Sequence, residues 1–127
     1  MGGLKVLVVE DSYLMAVVLE DLLKAAGATD VALAASVADA LQVLRRDPID
    51  LACLDIDLGV ETSFPVADEL ARRRIPFIFV TGCPQDKVPD VHRHRPFVSK
   101  LIGNAEMVAA CLEAARPSRS PVLTGAA

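Results

Sequence analysis

The chain has 127 residues, 53% of them hydrophobic, and its 13 basic against 17 acidic residues give a net charge of −4. That length suits one domain, able to bury roughly two-thirds of the surface its unfolded form exposes. The apolar runs fall short of the ~20 residues of a membrane span, no basic stripe is present to neutralise nucleic-acid phosphates, and Met1-Gly2-Gly3-Leu4-Lys5 leads into a strand-like run without a secretory pattern; the expectation is a cytoplasmic protein with no nucleic-acid or membrane partner.

Short β-branched runs alternate with longer helical stretches, the pattern of repeated βα units and a parallel sheet. Lys5-Val6-Leu7-Val8-Val9-Glu10 reads as a strand covered on both faces and ends in two carboxylates, Glu10 and Asp11. A helix is expected from the N-cap Ser12 to Ala26, with Gly27 terminating it. If Met15, Val18, Leu19 and Leu22 face the sheet, helical spacing turns Tyr13, Ala16, Val17 and Glu20 outward. Val31 to Ala34 is a weaker second strand. Ser36-Val37-Ala38-Asp39 resembles a capping box with a shortened acid and opens a helix to Arg46, which Pro48 closes.

Ile49 to Asp55 is the third strand. The loop after it carries Asp57, Gly59 and Glu61, and Pro65 suits the first turn of a third helix. That helix ends on Arg72-Arg73-Arg74, read as cations complementing the helix dipole, with a ligand patch as the alternative. Pro76 to Thr81 is the fourth strand. Between it and the fifth, Phe97-Val98-Ser99, stand Pro84, Pro89 and Pro96, so no long helix is expected there, since an interior proline costs about 3 kcal/mol. His92-Arg93-His94-Arg95 reads as a solvated turn. A last helix, from Asn104 to about Arg116, completes a domain over residues 1–116, followed by a flexible tail over 117–127. Cys53 and Cys111 read as small buried hydrophobes, and Cys83 falls in a loop near the strand ends.

Ligands of open parallel sheets bind beyond the carboxyl ends of the strands. The first strand delivers Glu10 and Asp11 to that edge, the third Asp55, the fourth Thr81, and the fifth is followed by Lys100. Clustered carboxylates repel, so they raise a pKa or recruit a hard cation, and an oxygen-rich site with open positions suits Mg²⁺. A carboxylate beside Mg²⁺ is also a nucleophile toward phosphorus. Lys100 then neutralises one phosphoryl oxygen and the Thr81 hydroxyl hydrogen-bonds another.

These residues resemble the receiver domains of response regulators. Val8-Val9-Glu10-Asp11 is similar to the family's acidic-pair strand, Leu54-Asp55 to its phospho-acceptor strand, Val80-Thr81-Gly82 to the strand ending in a hydroxyl, and Phe97-Val98-Ser99-Lys100 to its aromatic-to-lysine segment. The resemblance spans about residues 4 to 116. It implies an α/β, three-layer, doubly wound (βα)5 flavodoxin-like fold with a five-stranded parallel sheet in the order 2-1-3-4-5.

It further implies that Asp55 accepts a phosphoryl group, that Asp11, Asp55 and the backbone carbonyl of Asp57 ligate Mg²⁺, and that Glu10 acts through a metal-bound water. Thr81 and Phe97 would form the switch. The first helix, through Tyr13 and Val17, would dock a histidine kinase or histidine phosphotransfer protein, and the output would be a changed surface offered to a downstream protein. The stretch Ile75 to Gly82 also resembles the FAT GUY variant receivers of alphaproteobacteria, often paired with kinases of the HWE type, although Val80 replaces the Ala of that motif and Cys83 an aromatic or Gly.

Three departures bear on mechanism. Leu101 follows Lys100 where proline is typical, so the family's cis peptide is not expected. Gly59 stands where proline is common, which predicts a looser loop. Asp57 adds a negative side chain that either tightens metal binding or repels the phosphoryl group. Two other functions share the residues: a phosphatase of the haloacid dehalogenase type, using Asp55-Ile56-Asp57 as nucleophile and general acid, and a pseudo-receiver that only binds proteins.

Overall fold

The computed structural model describes residues 3–82, 88–93, 95 and 97–99. The expectations for Cys83, His94, Lys100, Leu101, Cys111, the helix over 104–116 and the tail over 117–127 lie outside the described residues. Five strands, β1 (Lys5–Val9), β2 (Asp30–Ala34), β3 (Leu51–Leu54), β4 (Phe77–Thr81) and β5 (Phe97–Ser99), form one parallel sheet in the order β2-β1-β3-β4-β5. Among the described residues, three α-helices alternate with them: α1 (Tyr13–Ala25), α2 (Val37–Arg46) and α3 (Phe64–Arg72). The flavodoxin-like order expected from the resemblance is the one observed.

Alternation along the strands builds two cores. Val6, Val8, Leu51, Cys53, Ile78 and Val80 join Leu19 and Leu23 of α1. Leu7, Val9, Ala52, Leu54, Phe77 and Phe79 join Val43 and Leu44 of α2 and Val66, Ala67 and Leu70 of α3. Successive strand residues point to opposite faces, so near-continuous apolar runs are what a sheet between two helical layers requires.

The helix ends follow local chemistry. Ser12 caps α1 by accepting from the Met15 N–H. At the other end the Ala28 N–H reaches the Leu23 carbonyl and the Gly27 N–H that of Lys24, a Schellman closure in which Gly27 takes φ 106°. Ser36 accepts from the Asp39 N–H at the start of α2, whereas the Val37 N–H donates at 3.0 Å to a distant acid, Glu61. Of the arginine triplet, Arg72 and Arg73 both bind Glu69, and Arg73 also donates to the Leu44 carbonyl. One of these cations therefore serves the carboxyl end of the neighbouring helix α2.

Three expectations are corrected. The buried stripe of α1 is Ala16, Leu19 and Leu23, while Val18 is exposed, so the helix is rotated from the expected facing. Apolar residues occupy both sides of α1, and periodicity alone does not select one; packing of Leu19 and Leu23 against Val6 and Val8 does. The loop after β3 is not loose. The Gly59 N–H donates to Asp57 Oδ1, the Leu58 N–H to the Glu61 carbonyl and the Ser63 N–H to the Ile56 carbonyl, while Asp57 and Thr62 form an antiparallel bridge. Gly59 sits at φ 90°, a conformation closed to the proline of typical receivers.

Finally, His92 is not solvated. It is 2% exposed, contacts Phe77 and Phe79 edge-on, and lies 2.8 Å from Asp68 of α3. It ends a single 3-10 turn, Asp90–His92, with Pro89 at its N-cap. Among the described residues of 82–96 this turn is the helical element, and the expectation for 83–87 lies outside the described residues.

Candidate functional site

Two ladder bonds carry the sheet past its strand ends and fix the first two acids. The Glu10 N–H donates to the Ala34 carbonyl and the Asp55 N–H to the Val9 carbonyl, each at 2.9 Å. Glu10 is then oriented by the turn into α1, its Oε2 accepting from the Ser12 N–H at 3.1 Å. Carboxylate oxygens of Glu10, Asp11 and Asp55 lie within 4.8 Å of one another. Glu10 and Asp55 are only 3% and 7% exposed, and Asp11 is exposed. The arrangement is two acids at the base and one at the mouth.

Thr81 ends β4 and is buried. Leu54 pairs with both Val9 and Phe79, so Asp55 comes one residue past that row and Thr81 two. Thr81 in turn pairs with Ser99, the residue before Lys100. Phe97 pairs with Phe79 and packs, half-buried, against the core on the α2 and α3 side.

Asp57 is placed differently. Its side chain is exposed and folds back on its own loop to accept from the Gly59 N–H, outside the three-carboxylate group. Gly59 closes on Asp11, where a Cβ would stand 3.4 Å from Asp11 Oδ2. The loop lines an open cavity of about 390 Å³ formed by Ile56, Asp57, Gly59, Val60, Glu61, Thr62 and Phe64. Tyr13 and Leu14, at the start of α1, are each 76% exposed, whereas Val17 is half-buried.

The clustered donors are all carboxylate oxygens, with no thiolate or imidazole among them. Such a set fits a hard divalent cation of the Mg²⁺ kind, because several hard anionic donors in one place are costly without a compensating charge. Sequence reasoning missed the Glu61 cap of α2 and the His92–Asp68 contact. Each joins residues 24 apart in sequence, and no local pattern announces either.

The model of the response regulator receiver domain family matches residues 6–111. Among solved structures, SdrG from Sphingomonas melonis Fr1 is 41% identical, with a TM-score of 0.77 over 91% of this chain and 98% of that one. The receiver domain of PhyR from Erythrobacter litoralis is 27% identical, with a TM-score of 0.81 over 95% of this chain and 96% of that one. A CheY-like receiver from Methanospirillum hungatei JF-1, 19% identical, shares the fold with a TM-score of 0.78 over 88% of this chain and 93% of that one. No match was found among curated proteins. With the family model matching most of its length and the acidic cluster at the expected sheet edge, the chain belongs to the response regulator receiver domain family, the signalling domains of two-component systems.

Proposed function

We propose that Asp55 accepts a phosphoryl group from a histidine kinase or a histidine phosphotransfer protein, in a cytoplasmic setting, and that the domain signals by changing the surface it offers a downstream protein. The observation that carries this reading is the convergence of Glu10, Asp11 and Asp55 within 4.8 Å at the carboxyl edge of the sheet. Asp11, Asp55 and the Asp57 carbonyl would hold Mg²⁺, with Glu10 acting through water. When bound, Mg²⁺ supplies the positive charge that offsets the repulsion between the carboxylates and an incoming phosphoryl group.

The chain's own residues do the rest. An Asp55 carboxylate oxygen attacks phosphorus, the P–N bond to the donor imidazole breaks, and its electron pair stays on that nitrogen. The Thr81 hydroxyl donates to a phosphoryl oxygen and the Lys100 ammonium pairs with another. Movement of Thr81 toward the phosphoryl group frees room for Phe97 to turn inward, and that pair is the proposed switch. The likeness to SdrG, which has a BeF3-activated conformation, is in keeping with an activatable domain. A kinase of the HWE type is the partner that the subgroup resemblance favours. The phosphatase alternative needs the Asp57 carboxyl as general acid, and that carboxylate is instead engaged with the Gly59 N–H.

Intact mass after treatment with acetyl phosphate and Mg²⁺ tests the reading. One phosphoryl group is expected on the wild type and none on Asp55→Asn or in excess chelator. Labelling that persists in Asp55→Asn moves the acceptor elsewhere, and an unlabelled wild type leaves a protein-binding pseudo-receiver.

A further inference from the structure

The loop between β3 and α3 is fastened at a point that the acceptor chemistry does not explain. Glu61 is half-buried, and its Oε2 accepts the Val37 N–H at 3.0 Å, at the first turn of α2. That N–H is one of the unbonded donors at a helix start, and a carboxylate there is doubly favoured, by the hydrogen bond and by the positive end of the helix dipole. The same residue's carbonyl accepts the Leu58 N–H at 2.9 Å. Glu61 thus closes the turn through its backbone and anchors it to α2 through its side chain. Inside the turn, the Asp57 side chain holds the Gly59 N–H, and Gly59 at φ 90° presents its backbone to Asp11 Oδ2.

From this chain of contacts we infer that Glu61 is a positioning residue for the metal and phosphoryl site: its bond to Val37 fixes the turn that carries Asp57 and walls the Asp11 carboxylate. The inference rests on the proposal that Asp55 is the acceptor, and deepens it. Glu61 is outside the carboxylate cluster and touches no reacting atom. It acts by limiting where the Gly59 backbone and the Asp57 peptide can lie, and so how far Asp11 can swing from Glu10 and Asp55. Without the anchor, the turn keeps its internal bonds but loses its tie to α2, and the acids spread.

The test is Mg²⁺ titration of the full chain monitored by amide NMR shifts, with acetyl-phosphate labelling rates as a second readout, on wild type, Glu61→Ala, Glu61→Gln and Ser36→Ala. Glu61→Ala is expected to weaken Mg²⁺ binding about tenfold, the lower end of the loss seen when a group that orients metal ligands is removed, and to slow labelling in parallel. Glu61→Gln keeps an acceptor oxygen for the Val37 N–H and is expected to stay within about threefold of wild type, below that range. Ser36→Ala removes the other side-chain cap of α2, the bond to the Asp39 N–H, and leaves the turn alone; it is expected to lower stability with Mg²⁺ affinity unchanged. Wild-type affinity in Glu61→Ala overturns the inference and leaves the acceptor role of Asp55 standing. Equal losses in Ser36→Ala and Glu61→Ala overturn it too, by assigning the effect to α2 stability. A Gln variant as damaged as Ala overturns it in favour of a charge effect. A wild type that binds no Mg²⁺ overturns the acceptor role and this inference together.

Discussion

His92 and Asp68 join the segment between β4 and β5 to helix α3, the imidazole Nε2 lying 2.8 Å from the carboxylate Oδ1 while the ring itself is buried against Phe77 and Phe79. Arg95, three residues on, lays its guanidinium 4.6 Å from the Phe77 ring centre, and burial pushes its pKa below the ordinary arginine value. Among the described residues of this segment, the His92 side chain ties the 3-10 turn to the sheet and to α3.

A double-mutant cycle of His92→Ala and Asp68→Ala, monitored by urea unfolding, checks that tie. Because Asp68 is largely exposed, the pair is expected to couple by only about 0.5–1 kcal/mol. His92→Ala alone is expected to cost about 2–4 kcal/mol, because it also empties space beside two phenylalanines. Strict additivity of the two substitutions would show that the contact contributes nothing beyond packing.

Gly59 is the position at which a common residue of the family is incompatible with this loop. At φ 90° an alanine is strained by roughly 1–2 kcal/mol, and proline, held near φ −65°, cannot enter the turn at all. Urea midpoints should fall in the order Gly, Ala, Pro, with the proline variant also losing Mg²⁺ affinity. A Gly59→Pro variant as stable as wild type would mean that the turn has a second conformation of similar energy.

Glu69 gives the acid limb of stability a defined origin. Hydrogen bonds from Arg72 and then Arg73 hold its carboxyl well below the usual range, at about 2 against an ordinary 4.5. A folded-state value below the unfolded one contributes stability that is full above pH 4.5 and is lost as the pH falls toward 2. Arg72 and Arg73 are exposed and Glu69 is half-buried at the surface, so the contribution is modest and screened by salt. Comparing thermal midpoints at pH 6 and pH 3, Glu69→Gln should lose less than wild type on acidification. Identical losses would assign that pH dependence to other carboxylates.

The exposed side of α1 keeps Tyr13, as expected, but has Leu14 and Val18 in place of Ala16 and Val17, and the substitution that tests docking changes with it. Tyr13 and Leu14, which follow the acidic pair and Ser12, face solvent, as does Val18 a turn further along the helix, while Val17 is half-buried. Exposed apolar groups gathered on one helix suit a partner surface. Leu14→Glu or Val18→Lys is expected to slow transfer from the kinase tenfold or more, equivalent to about 1.4 kcal/mol or more of lost transition-state stabilisation, with acetyl-phosphate labelling unchanged because a small donor needs no docking surface. Equal slowing of both reactions would mark the helix as structural.

Local pattern alone determined much of this protein. The strand runs ending at Glu10, Asp55 and Thr81 are readable because a buried parallel strand must be apolar, and its first polar residue then marks the carboxyl edge of the sheet. Ser12, Gly27 and Ser36 are readable because caps act within a few residues. What required the tertiary structure was every choice between locally equivalent options. The side of α1 that is buried was decided by Val6 and Val8, whether Gly59 loosens or tightens its loop by Asp57 and Glu61, and the fate of His92 by Asp68, Phe77 and Phe79. In two of these cases the deciding group is on a separate element, and its contribution is an interaction energy that exists only once the chain has folded.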